Sequence, residues 1–161
     1  MSITKDKKQT AYQDTPIGKI PADWEIIQLK SVIEELEAGV SVNSIDDEVS
    51  QTQPRVLKTS SVSGGAFFPH ESKIIAPSDI NKAKLNPRKD SIIISRMNTP
   101  DLVGETGFVE RNYPTLFLPD RLWQTKFRSD NNSVYPKWLN FLLSSSEYKL
   151  KIKDIATGTS N

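Results

Sequence analysis

The chain predicts an α+β domain on a mixed or antiparallel β-sheet, with its helices gathered at the C-terminal end. Three observations carry this. Short apolar, β-branched runs bounded by Gly and Pro fill residues 54–128. Helical spacing of apolar residues (Trp138, Leu139, Leu142, Leu143) begins only after Pro136. At 161 residues the chain is long enough for one domain with a real core.

In chain order, residues 1–15 read as a flexible, polar leader, and residues 16–161 as a single domain. Gly18 and Pro21 oppose an early helix. Trp24, Ile26 and Leu29 then give a short extended segment, and Lys30 to Leu36 a short helix. Trp24 and Trp138 are expected as core anchors. Asp46 to Glu48 reads as an exposed acidic loop. Arg55 to Val62 is strand-like and ends at the Gly64-Gly65 turn signal. Ala66 to Phe68 and Lys73 to Ile75 are short apolar segments, followed by a helical turn over Ser78 to Lys84. The turn Asn86 to Asp90 feeds a strand over Ser91 to Ser95, and Gly107 to Glu110 forms another. Leu122-Gln124-Lys126 alternating with Trp123-Thr125-Phe127 predicts a strand over Arg121 to Arg128. Pro136 suits the first turn of a helix. Tyr148, Leu150, Ile152 and Ile155 outline a second helix, with Gly158 as its stop.

The formal net charge of +1 hides an asymmetry. Residues 1–50 hold 5 basic and 10 acidic side chains, whereas residues 51–128 hold 12 basic and 7 acidic. A basic middle suits a phosphate-bearing partner, and a solvated surface is the plainer account. Cys is absent, which removes disulfides and thiol chemistry and fits a cytoplasmic protein. No apolar run is long enough to span a membrane, and the polar N-terminus is no secretory signal.

Enzyme signatures are missing. There is neither a Gly-Lys phosphate loop nor a dinucleotide fingerprint. His70 is the only histidine and has no Cys beside it, so no metal site is expected. No nucleophile-elbow motif accompanies it either. Asn86-Pro87-Arg88-Lys89 lacks the second proline and the aromatic that an amino-methyltransferase motif requires. Pro119-Asp120 with Glu147-Tyr148-Lys149 mimics a nuclease motif, but its Glu and Lys fall in a predicted helix. No catalytic residue is assigned.

The most informative stretch is Ser95-Arg96-Met97-Asn98-Thr99-Pro100-Asp101-Leu102-Val103-Gly104, directly after Ile92-Ile93-Ile94. A buried strand that delivers Arg and Asn into a loop has the chemistry for reading bases: Arg pairs bidentately with guanine, Asn with adenine. A polar turn whose Arg96 pairs with Asp101 or Glu105 is the plainer account.

Several segments together resemble the target-recognition domain of type I restriction-modification specificity subunits. Ile20-Pro21-Ala22-Asp23-Trp24-Glu25-Ile26-Ile27-Gln28-Leu29 is similar to that family's Ile-Pro-x-x-Trp-Glu-x-x-x-Leu opening. Ile92 to Gly104 resembles its central strand and loop, and Leu122-Trp123-Gln124 a following segment. Trp138 to Ser144 and Ile155 to Asn161 resemble the helix and Gly-Thr loop that close the domain. The resemblance implies a target-recognition-domain-like fold that stops before the family's spacer helix. It implies sequence-specific binding of double-stranded DNA without catalysis, and no cofactor of its own. The implied partners are a methyltransferase (modification) subunit, which uses S-adenosylmethionine, and through it a restriction subunit. No membrane is implied.

With that resemblance, Arg96 and Asn98 are the first candidates for base contact, and Thr99 for loop support or phosphate. Lys58, Thr59, Ser60 and Ser61 carry hydroxyls and an ammonium suited to phosphate. Such Ser and Thr also bond their own backbone. Arg121 and Gln124 join the set, Gln124 as an adenine reader. Lys126 and Arg128 are assigned to a polar outer face. Gly158, Thr159 and Asn161 are candidates for approach to the DNA backbone, with a frayed terminus as the equal alternative. The alternative function is a non-catalytic protein-interaction module whose basic surface is incidental.

Overall fold

The computed structural model describes residues 11–45, 52–97, 99, 101–130 and 134–158. Strands β1 (Tyr12–Thr15) and β2 (Gly18–Pro21) form an antiparallel hairpin whose turn uses Gly18 at φ 108°. The leader boundary expected after residue 15 thus falls inside this hairpin. A 3-10 turn, Leu29–Ser31, leads into β3 (Ile33–Ala38).

The helix expected over residues 30–36 is therefore a correction. Glu34, Glu35 and Glu37 favour helix locally, but tertiary pairing overrides that weak preference. β3 is the edge strand beside β12 (Leu122–Phe127), with Gln124 opposite Glu37 and Lys126 opposite Glu35. Charged side chains suit an exposed edge, where they oppose pairing with a further strand.

The middle of the chain supplies β4 (Ser44–Ile45), β5 (Arg55–Leu57), β6 (Val62–Ser63), β7 (Ala66–Phe67) and β8 (Ser72–Ile75). The strand expected from Arg55 to Val62 is interrupted by a 3-10 turn at Thr59–Ser61. The backbone N–H of Ser61 donates to the Lys58 carbonyl at 3.0 Å, a local turn bond in place of a ladder bond. A 3-10 stretch at Pro77–Lys82 occupies the expected helical turn. Then follow β9 (Ile92–Ser95), β10 (Thr106–Phe108), β11 (Leu116–Phe117) and β12. Helices α1 (Pro136–Leu143) and α2 (Ser146–Gly158) close the chain.

Among the described residues the strands form two four-stranded sheets and two small hairpins. One sheet, in order β10-β9-β12-β3, is antiparallel throughout. The other, β11-β5-β8-β4, is mixed, because β11 runs parallel to β5. The α+β expectation, with sheets first and helices last, matches this architecture.

β9 and β12 have cores on both faces. Ile93 and Leu122 pack with Leu57, Val62, Val109, Leu116 and Leu118. Ile92 packs with Leu139 and Leu143 of α1, joined by Ile94, Phe108 and Phe127. Each fully buried Leu or Ile here contributes about 1.5–3 kcal/mol of apolar burial. Trp24 and Trp138, expected as anchors, are 54% and 48% exposed. On α1, Leu139 and Leu143 occupy the inward face one turn apart, and Trp138 falls outside it.

Candidate nucleic-acid interface

The pleat decides which side chains meet at the C-terminal end of β9. Ile94 pairs with Trp123 and Ser95 with Leu122. Side chains two residues apart share a face, so Ile94, Arg96, Arg121 and Trp123 lie on one side. The backbone N–H of Arg96 donates to the Arg121 carbonyl at 3.1 Å, which holds the two arginines side by side. Both are exposed. The Arg96 guanidinium lies 5.2 Å from the centre of the Trp123 ring, and Nη1 donates to the Asp120 carbonyl at 3.3 Å. Among the described residues Arg121 Nη1 makes only a 4.0 Å contact, with Met97 Sδ. Each guanidinium carries five N–H donors, so most of them stay free to bind acceptors from outside.

The loop after Arg96 is fixed from behind. Its backbone turns at Thr99, whose carbonyl accepts from Leu102 and Val103, and Gly104 adopts φ 70°. A Cβ at Gly104 would lie 3.0 Å from Ile152 of α2, so the helix packs tightly against the loop. Glu105 is 8% exposed and ties three elements together. It accepts from the Gly64 N–H at 2.5 Å and from Lys149 of α2, while its carbonyl accepts from Ser95. Of the two pairings weighed for Arg96, Glu105 is taken by Lys149, and among the described residues no ion pair joins Arg96 to Asp101. Thr99 is exposed, and Asn98 lies outside the described residues.

Lys58, Thr59 and Ser60 form a separate group. Ser60 Oγ donates to Glu71 at 2.8 Å, and Lys58 Nζ lies 3.8 Å from the same carboxylate. The Ser60 hydroxyl, then the Lys58 charge, hold the Glu71 carboxyl below its ordinary 4.5. Part of this group's positive charge is thus balanced within the chain. Ser61 is fully buried.

Gln124 is a correction. It is 0% exposed, on an interior strand with cores on both faces. Its Oε1 accepts from the Arg88 N–H at 3.0 Å and from Ser91 Oγ at 3.1 Å. Its Nε2 donates to the Asn86 carbonyl at 3.2 Å. No polar edge remains for a base. The same amide thus holds the turn Asn86 to Ser91 against β12. Asn86 adds hydrogen bonds to the carbonyls of Pro114 and Leu116.

At the other end of β9 and β12, a cleft of about 740 Å³ is lined by Arg88, Lys89, Lys126, Arg128 and Tyr135. Arg88 pairs with Glu37, and Lys126 with Glu34 at 3.0 Å, so Lys126 has the outer-surface role expected of it. Gly158 ends α2, and Thr159 and Asn161 lie outside the described residues.

Sequence reasoning missed Trp123 as the ring beneath Arg96. Only the β9–β12 register reveals it. Among the described residues no group of three His, Asp or Glu side chains is placed to hold a metal ion, and no helix is long and apolar enough to cross a membrane.

No family model matches the chain. Two curated proteins of Methanocaldococcus jannaschii do. The type I restriction enzyme MjaVIII specificity subunit is 24% identical over 151 residues, covering 92% of this chain and 34% of that protein. The putative type I restriction enzyme MjaX specificity subunit is 26% identical over 149 residues, with the same coverage of 92% and 34%. The chain spans about a third of the length of the curated relatives it matches. The resemblance seen in scattered motifs thus extends along nearly the whole chain, which is similar to about one third of a type I restriction enzyme specificity subunit.

Proposed function

We propose that this chain is a target-recognition domain that binds double-stranded DNA in a sequence-specific way. It directs a methyltransferase and restriction complex to its site and does no chemistry itself. The observation that carries the reading is the exposed Arg96–Arg121 pair, mounted across two antiparallel strands with Trp123 against Arg96. A guanidinium stacked on a ring keeps its orientation and loses less freedom on binding. Arg96 is assigned to a guanine edge, Arg121 to base or phosphate, and Thr99 to phosphate. The Lys58, Thr59 and Ser60 group supplies further phosphate contacts. Gln124 acts as an internal support, and Ser61, expected as a phosphate contact, is corrected to a buried residue outside the contact set.

Selection of duplexes from a randomised pool by the whole chain tests this reading. An enriched short sequence is expected, bound somewhat more tightly than the roughly 10⁻⁴–10⁻⁶ M of nonspecific binding. Arg96→Ala is expected to cost about 1–3 kcal/mol on the enriched duplex and much less on a random one. Equal losses on both would reduce Arg96 to a phosphate contact. No loss on either would remove it from the interface.

A second reading, a protein-docking module, is favoured by one observation. Trp138 and Phe141 lie one turn apart on α1 and are 48% and 74% exposed. Under this reading the wild-type chain shows no sequence preference for duplex DNA, and Phe141→Ser is expected to weaken capture of a protein partner, tested with the methyltransferase subunit. Unchanged capture would sink this reading.

A further inference from the structure

Arg55 stands apart from the interface above. It begins β5, is 5% exposed, and is among the residues lining a pocket of about 430 Å³. Its Nη2 donates to the Ser72 carbonyl at 3.2 Å, and its buried Nε has no hydrogen-bond partner. No carboxylate lies within ion-pair distance of it among the described residues. A buried cation is ordinarily paired, because desolvating it alone is costly.

The rest of the pocket deepens the imbalance. Arg111 and His70 line it, together with Asn112, Tyr113 and Thr115, and among the described residues no acidic side chain does. The Arg111 guanidinium lies 5.0 Å from the centre of the Tyr113 ring, and that ring packs edge-on against Phe67 at 5.4 Å. The Glu71 carboxylate, next in sequence to His70, is engaged by Ser60 and Lys58. The floor is fixed by backbone: Arg55 N–H donates to the Thr115 carbonyl at 2.9 Å, and Ser72 N–H to that of His70 at 2.8 Å.

We infer that this pocket binds a phosphoryl group, with Arg55 at its floor and Arg111 at its wall. Guanidinium forks match phosphate oxygens bidentately, and a tetrahedral oxyanion offers enough acceptors for both arginines. The volume falls within the roughly 300–1,000 Å³ of small-ligand sites. The phosphoryl group comes either from a free phosphate compound or from a DNA backbone phosphate at the surface. The free-phosphate source does not rest on the DNA reading, because neither Arg96 nor Arg121 takes part in the site; the backbone-phosphate source does.

The test is calorimetric titration of the whole chain with orthophosphate, against chloride at matched ionic strength. Saturable one-to-one binding is expected. Arg111→Gln is expected to weaken it about tenfold, the size of one charge-assisted contact. Arg55→Lys, which keeps the charge and loses the fork, is expected to weaken it at least as much. If circular dichroism shows that Arg55→Lys fails to fold, Arg111→Gln decides. Absence of saturable binding, or equal binding by wild type and Arg111→Gln, overturns the inference. A duplex competition then separates the sources. Displacement of DNA by orthophosphate identifies a backbone phosphate, and simultaneous binding identifies a free ligand. Because the titration contains no DNA, its failure leaves the recognition reading standing, and the converse also holds.

Discussion

Replacing Gln124 by Leu separates an internal support from a base reader. The two side chains are close in volume, so the change removes hydrogen bonds more than packing. Three bonds are lost: those from Arg88 N–H and Ser91 Oγ, and the one to the Asn86 carbonyl. Ser91 Oγ still has the Arg88 carbonyl at 2.6 Å, so its loss is small. The Arg88 N–H is left without its acceptor, which costs about 1–3 kcal/mol when buried. The Asn86 carbonyl loses one donor, adding about 0.5–1.5 kcal/mol. Gln124→Leu should therefore destabilise the fold by about 1.5–4.5 kcal/mol. For a domain of this size that lowers Tm by roughly 3–18 °C. Urea denaturation at constant m-value measures it. The folded variant should bind the enriched duplex as wild type does. A loss below about 0.5 kcal/mol with impaired sequence preference would refute the support role and return Gln124 to the interface.

A Cβ at Gly39 would lie 1.8 Å from the Leu118 carbonyl oxygen, which is backbone and cannot swing aside, so Gly39→Ala should cost at least about 1–3 kcal/mol by thermal melting. A melting temperature equal to wild type would contradict the close approach. Asp79 is held below its ordinary 3.8, chiefly by the Asn43 N–H and then by Lys82. The Ser60 hydroxyl and Lys58 do the same for Glu71 below 4.5. A folded value depressed below the unfolded one stabilises fully above the unfolded value, and the gain vanishes as pH falls through the folded value. The stability gap between wild type and Asp79→Asn should thus be present at neutral pH and close below pH 3.8. A gap independent of pH would dissociate it from the carboxylate.

Local signals were legible where they agreed with the tertiary arrangement. Ile92 to Ser95 read as a strand because an apolar run followed the Asn86 to Asp90 turn, and the structure keeps it as β9. Pro136 marked the first residue of α1, where a missing N–H costs nothing. Sequence failed where pairing or layering decided. The Glu-rich β3 has helix formers, and only the free edge of β12 makes it a strand. Alternation on β12 suggested one polar face, but cores on both sides put Gln124 inside. The contact of Arg96 with Trp123 depends on a register between segments 27 positions apart. The buried, unpaired Arg55 likewise becomes visible only when residues 55, 70 and 111 meet around one pocket.

Backbone amide chemical shifts of the whole chain, recorded as the enriched duplex is added, test the central claim most directly. Arg96, Met97, Arg121 and Trp123 should shift first and most, with Gln124 following only weakly. Shifts confined to α1 and the β1–β2 hairpin, with the Arg96–Arg121 end unmoved, would contradict it.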